Sequence, residues 1–523
     1  MRFRRLQKFE TMMRSVAGRF LIGTLIAVAA TTAVTPAACG APQYGGALRS
    51  AFEIRAMGFD AIKTRMLYSA GRATAMLVME KLFERGEDDT LIPVLGLSAT
   101  ASTDGTVWTI ALRRGVFFHD GTPLTADAVV AHWRRLLDPK NRFSERILLT
   151  PITAVEKVDD HTVRFVLAHA WLPFTGVLTD PASFTSLIPS PTAVANDTQN
   201  RHPVGTGPFI FKEWKPGDQI TVTKNPDYWQ KGRPYLDAVE LRIITDHESR
   251  YAALVSGQVD VMVTDRPAHV IKLRENKNFT CHPLKFRGAV VLVFNTTKPP
   301  LDDVRVRRAL AHGWDQKKYI AASFKDIVPY VEDWYGDAVD CGDVGYLAPD
   351  PDKARALLAE YGQPVTLEYL HSATNRGREA GIILQQMMKD IGVTVTPVPA
   401  DFSGIVKRMF SKQFDISSWV VRGGYDMGPM TEAWLNSKSP WNMSRYSNEA
   451  VDALLEKQQS STDLRERAEA LCTVARKVNA DAPFLYLFGR TYYMIIRNTV
   501  QGGVALPVLG EEGVRLTDAW IKQ

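Results

Sequence analysis

Cysteine is scarce in this 523-residue chain: Cys39, Cys281, Cys341 and Cys472 are the only four, and no Cys-x-x-Cys pair occurs. That spacing excludes a zinc ribbon or a thioredoxin-type dithiol. The chain also has no Gly-x-Ser-x-Gly elbow and no His-Glu-x-x-His signature, so the local marks of a serine hydrolase or a zinc peptidase are missing. A secreted hydrolase is the reading of another class that these absences disfavour.

Excess charge is scarce as well. The formal charge is +6, but residues 1–41 carry six basic residues against Glu10 alone and so hold five of those charges. The near-neutral remainder leaves no basic footprint for nucleic acid. The apolar run from Phe20 to Val34 falls short of the roughly 20 residues that span a bilayer. With the basic segment before it and small residues from Ala37 to Ala41, it reads as a secretory signal over residues 1–41, cleaved near Ala38 or Ala41. The expected location is periplasmic. A lipid anchor at Cys39 is the alternative, favoured by Ala38 and opposed by Pro36. An exported chain can form one disulfide among Cys281, Cys341 and Cys472, with the pairing open.

What is present is α/β patterning with turn chemistry. "PVGTGPFIFKEW", Pro203 to Trp214, resembles a phosphate loop until Pro208, after which Phe209, Phe211 and the following "KPGDQ" turn read as a β-hairpin. Trp108, Ile110 and Leu112 alternate as a strand, and Asp120-Gly121 turns the chain. Val129, Trp133, Leu136 and Leu137 then fall at helical spacing, with Thr125 placed to cap and Asp127 suited to the dipole. Residues from about 81 to 200 read as an α+β insertion. A βαβ unit follows, with a strand at Val239–Ile244, a helix at His247–Ser256 and a strand at Val259–Val263; a βαβαβ unit runs from Val365 to Trp419. Two separated α/β units predict two lobes, each with its own sheet. Between them Ala289 to Asn295 is an apolar run of the buried kind.

Ligands of open α/β sheets sit outside the carboxyl ends of the strands. Those ends deliver Glu53 and Arg55, Asn295, His371, and Trp419 with the loop holding Arg422, Tyr425 and Asp426. These eight are the candidate ligand-binding residues.

In this order the segments "LIPVLGLSATASTDGTVWTIALRRGVFFHDGTPLTADAVVAHWRRLLDP", "PVGTGPFIFKEWKPGDQITVTKNPDYWQKGRPYLDAVELRI", "FNTTKPPLDDVRVRRALAHGWDQKKYI" and "FDISSWVVRGGYD" cover nearly the whole chain after the leader. The chain thereby resembles the peptide- and nickel-binding class, family 5, of extracytoplasmic solute receptors that feed ABC importers. The resemblance implies a two-lobed periplasmic-binding-protein fold, with an N-terminal lobe over 42–287, a C-terminal lobe over 288–484 and a return segment over 485–523. It implies a monomer that hands a small peptide or peptide-like solute to permease subunits, with no cofactor, no metal and no catalysis. A nickel chelate or an opine-like solute is the alternative ligand.

Family peptide receptors commonly place an Asp shortly after the residue matching Trp419, and here Arg422 stands there. Arg422 reads either as an anion clamp or as a structural bridge to Asp426 or Glu53. Arg55 offers the same chemistry. His371 is a hydrogen-bonding group or a satisfied polar residue, Trp419 a stacking wall or core. Glu53 and Asp426 are the candidates to hold an amino group, and Arg422 makes a carboxylate-bearing ligand the expectation.

Overall fold

The computed structural model describes residues 41–64, 70–86, 90–179, 184–336, 338–424, 426–502 and 516–522. Residues 1–40, which hold most of the expected leader and Cys39, and Tyr425 lie outside the described residues. Ten strands form the main sheet, numbered here in chain order: β1 Ala47–Phe52, β2 Phe209–Lys215, β3 Gln219–Lys224, β4 Ala238–Ile243, β5 Val261–Thr264, β6 Phe279–Phe294, β7 Thr366–Ser372, β8 Thr394–Ala400, β9 Ile416–Arg422 and β10 Phe484–Arg497. Their lateral order is β2-β3-β4-β1-β5-β10-β6-β9-β7-β8.

The expectation of one sheet per lobe is therefore corrected. Two long antiparallel strands, β6 and β10, run through both halves and join them. Phe279–Lys285 of β6 pairs with Thr491–Arg497 beside β5, whereas Ala289–Val293 pairs with Phe484–Gly489 beside β9. The register shifts between Lys285 and Ala289, as at a β-bulge. Gly288 there has φ +109°, and a Cβ on it would stand 2.1 Å from the Val421 carbonyl oxygen. Pairing thus switches at Gly489; Phe484 starts β10 beside Val293, at the far end of the C-terminal half.

Alternation explains the apolar run of β6. Ala289, Val291 and Val293 point to a cluster with Trp334, Trp434 and Tyr486, while Leu292 and Phe294 point to the opposite cluster with Trp314, Leu367 and Leu485. Both faces are covered, so every position from Ala289 to Phe294 is apolar.

The inserted region builds a four-stranded antiparallel sheet from Gly96–Ala101, Val107–Leu112, Ile152–Asp159 and Thr162–Leu167. Helix α1, Ala126–Leu137, lays Trp133 edge-on against Phe165, and α2 is Phe174–Thr179. Thr125 precedes α1 in extended conformation without a side-chain capping bond, contrary to expectation. The Asp160 carbonyl takes the Ala126 N–H instead, and Asp127 pairs with Lys157. Helix α3, His247–Ser256, falls where the sequence puts it, because Asp246 accepts the Ser249 N–H at its start. In the C-terminal half, α4 Asn375–Asp390 and α5 Phe402–Phe410 connect parallel β7, β8 and β9. Helices α6, Gly428–Leu435, and α7, Leu464–Asp481, follow, and Cys341–Cys472 is a disulfide with Cα atoms 5.1 Å apart.

The Gly-Thr-Gly-Pro corner is a structural clasp. A Cβ at Gly205 would stand 2.2 Å from the Val78 carbonyl oxygen, to which the Gly207 N–H donates at 2.9 Å. Between them Thr206 donates to the buried Glu80 carboxylate, as do the Tyr228 hydroxyl and the Trp229 indole. Close backbone contact leaves no room for a phosphate.

Candidate ligand-binding cleft

Strand direction decides which side chains meet. β1 runs parallel to β4 and β5, so Glu53 and Asp265 emerge at one edge of the N-terminal half. β7 and β9 run parallel in the other half, so that both end toward the same side, Ser372 level with Trp419 and Arg422 opposite Gly288. Both edges face the point where β6 and β10 shift register. That juxtaposition is the candidate cleft.

Asn295 is excluded from it. β6 is antiparallel to β9, with Gly288 opposite Arg422 and Phe294 opposite Ile416, so Asn295 lies about 20 Å away at the other edge of the sheet. Its buried amide donates to the Lys412 and Phe414 carbonyls.

On the N-terminal side Glu53 is oriented by Arg250, whose guanidinium is buried and donates to the Ile244 and Thr245 carbonyls and, at 2.9 Å, to Glu53. The Glu53 side chain remains 57 % exposed. Arg55 is exposed nearby. On the C-terminal side Trp419 is half-buried, stacked on Phe402 with ring planes 15° apart and backed by Trp434. His371 is buried, its Nδ1 at 2.9 Å from the Ser372 carbonyl oxygen.

Arg422 is neither free nor bridged to the partners expected. Its guanidinium pairs with Glu145 of the inserted region, the two side chains being 10 % and 16 % exposed. Asp426 is committed elsewhere: its carboxylate receives a two-pronged bond from Arg467 at 2.7 and 2.9 Å and the Gly428 N–H at 2.8 Å. Both of its oxygens are therefore already engaged within the chain.

Further links cross between the elements. Arg376, at the start of α4, pairs with Asp265 after β5, and the Trp171 indole donates to Gln459 at 2.9 Å. Near the Arg422 pair, a recess open to solvent lies between the inserted region and α6, lined mainly by Leu148, Leu149, Val177, Pro429 and Met430. Behind it on α6, burial pushes the Glu432 carboxyl up to about 7, with Asp452 and Glu456 adding to the rise; its one hydrogen bond comes from Asn436. No group of three or more His, Cys, Asp and Glu side chains is placed to hold a metal among the described residues, and no helix among them is long and apolar enough to cross a membrane.

Glu145, Asp265, Arg376 and Gln459 were not legible in the sequence. Each sits in an ordinary loop or helix, and only its partner across the cleft gives it meaning.

Comparison with known proteins matches residues 90–443 to bacterial extracellular solute-binding proteins, family 5. The chain is 30 % identical over 452 residues to di/tripeptide-binding protein 2 of Pseudomonas aeruginosa (strain UCBPP-PA14), covering 79 % of this chain and 84 % of that protein. It is 30 % identical over 468 residues to heme-binding protein A of Haemophilus influenzae, covering 81 % and 83 %. Among solved structures, the ABC transporter-associated periplasmic binding protein DppA of Helicobacter pylori, in complex with the peptide STSA, superposes with a TM-score of 0.81 at 22 % identity, covering 92 % of this chain and 99 % of that one. That likeness establishes the two-lobed fold. Sequence match and architecture together make the chain a member of family 5 of the bacterial extracellular solute-binding proteins.

Proposed function

We propose that this protein is the exported receptor of an ABC importer, and that it captures a small peptide or peptide-like, carboxylate-bearing solute between two lobes and passes it unchanged to the permease. The lobes divide at the register shift by Gly288 and Gly489, with the chain after β10 returning to the first lobe. The N-terminal leader directs the chain to the periplasm, where it acts as a monomer.

The observation that carries this reading is Arg422. A guanidinium at the carboxyl edge of β9 already holds a carboxylate, that of Glu145, and its planar fork suits a ligand carboxylate equally well. A ligand enters by displacing Glu145. Glu53, held by Arg250 yet largely exposed, receives an amino group on the opposite wall. The relative named for di- and tripeptides supports the same ligand class.

The test is a thermal-shift panel on the chain from residue 42, with di- and tripeptides, opine-like acids and nickel chelates. Ligand at 100 times its Kd adds roughly 2.7 kcal/mol to stability. Small-angle scattering should report compaction with the stabilising ligand, and mass spectrometry should recover that ligand intact. Stabilisation by nickel chelates alone refutes the peptide reading; recovery of a cleaved ligand refutes binding without chemistry.

A further inference from the structure

The recess beside Arg422 is lined mainly by apolar side chains. Its walls are the 3-10 helix Arg146–Leu149, helix α2 with the residue before it, and the start of α6, and they present Leu148, Leu149, Pro173, Val177, Pro429 and Met430. Asp426 also borders it, but Arg467 and the Gly428 N–H occupy both of its oxygens. The one carboxylate there is thus already paired with a guanidinium, which weakens its pull on a ligand ammonium group.

Its position defines what enters. Gly424, on its wall, is two residues from Arg422, and Leu148 is three from Glu145. A group in the recess therefore sits next to the carboxylate held by Arg422, as the side chain of a carboxyl-terminal residue sits next to its own carboxylate. We infer that this recess is the side-chain subsite for an apolar carboxyl-terminal residue, so that the ligand class is a short peptide ending in an aliphatic or aromatic residue. The inference rests on the reading of Arg422 as the carboxylate seat. Leu148, Val177 and Met430 are then specificity-determining residues. Because the inserted region supplies one wall and α6 the other, the subsite also couples side-chain identity to closure.

The experiment is calorimetry on the chain from residue 42 with Gly-Gly, Gly-Ala, Gly-Leu and Leu-Gly, and separately with N-acetylglycine and N-acetylleucine. Each buried methylene is worth about fourfold in affinity, so Gly-Leu should bind about tenfold or more tighter than Gly-Ala, while Leu-Gly gains nothing comparable. Val177→Trp fills the recess and should collapse the Gly-Leu to Gly-Ala ratio towards one. Met430→Ala enlarges it and should move the preference from Gly-Leu to Gly-Phe, a gain that a misfolded variant cannot show. Dipeptides that bind without regard to the last side chain, or a ratio that survives Val177→Trp, overturn the subsite and leave the peptide reading standing. If no dipeptide binds but N-acetylleucine exceeds N-acetylglycine and Val177→Trp removes the difference, the subsite stands and the peptide reading falls. Absence of any such preference in both series overturns the subsite.

Discussion

Replacing Arg422 and Glu145 singly and together separates a ligand seat from a structural bridge. Both side chains are at least 84 % shielded from water in the pair, so removing one leaves the other charge poorly solvated. For a fully buried pair that loss is about 3–5 kcal/mol; the residual exposure here lowers the expectation to about 2 kcal/mol for Arg422→Ala. The double variant should lose less than the sum of the singles, with a coupling of about 1–3 kcal/mol, since neither charge is then stranded. Urea unfolding of the chain from residue 42 measures this part. Binding of Gly-Leu, measured by calorimetry, moves in the opposite sense for the two residues. Arg422→Ala removes a charge-assisted bond worth roughly 1.5–3 kcal/mol and should weaken binding at least about tenfold. Glu145→Gln removes the carboxylate that the ligand displaces, and should strengthen binding. If Glu145→Gln weakens binding as Arg422→Ala does, the pair is a latch holding the lobes together. If Arg422→Ala changes stability alone, it is a bridge, and the carboxylate seat is refuted.

Glu432→Gln tests the buried carboxyl on α6. Its folded pKa of about 7 lies above the ordinary 4.5, so the folded state binds more protons between those values and stability declines as pH rises through that window. The Gln variant should therefore match wild type near pH 4.5 and exceed it at pH 8 by up to about 3 kcal/mol, read from urea midpoints; equal stability at pH 8 would show that Glu432 is solvated. Reduction of Cys341–Cys472, which spans 131 residues, removes up to about 5 kcal/mol of loop-entropy stabilisation, so dithiothreitol should lower the wild-type Tm and leave a Cys341→Ala variant unmoved. Gly205→Ala drives a methyl into the Val78 carbonyl and should cost about 1–3 kcal/mol or more in the urea midpoint; a neutral result would mean that the corner is loose.

Local pattern determined much of this protein. Turn chemistry and the 3.6 and 2.0 periods set the hairpin after Pro208, helix His247–Ser256 and the βαβαβ unit from Val365, because each depends on neighbours in the chain. The apolar run of β6 likewise announced a strand buried on both faces. Direction and partnership were beyond such signals. That β6 runs antiparallel to β9, which removes Asn295 from the cleft, follows from a pairing between strands more than 120 residues apart. The joining of both halves into one sheet by β6 and β10 is set by a still longer-range pairing. Arg422 was legible as a cation near the end of its strand, but its partner Glu145 lies 277 residues earlier in a loop without a motif. Asp426 read as a partner of Arg422 or of a ligand amino group, and is held instead by Arg467. A side chain's charge is written in the sequence; whether that charge is spent inside the protein or left for a ligand depends on which distant groups the fold brings within hydrogen-bonding distance, and only the tertiary structure decides that.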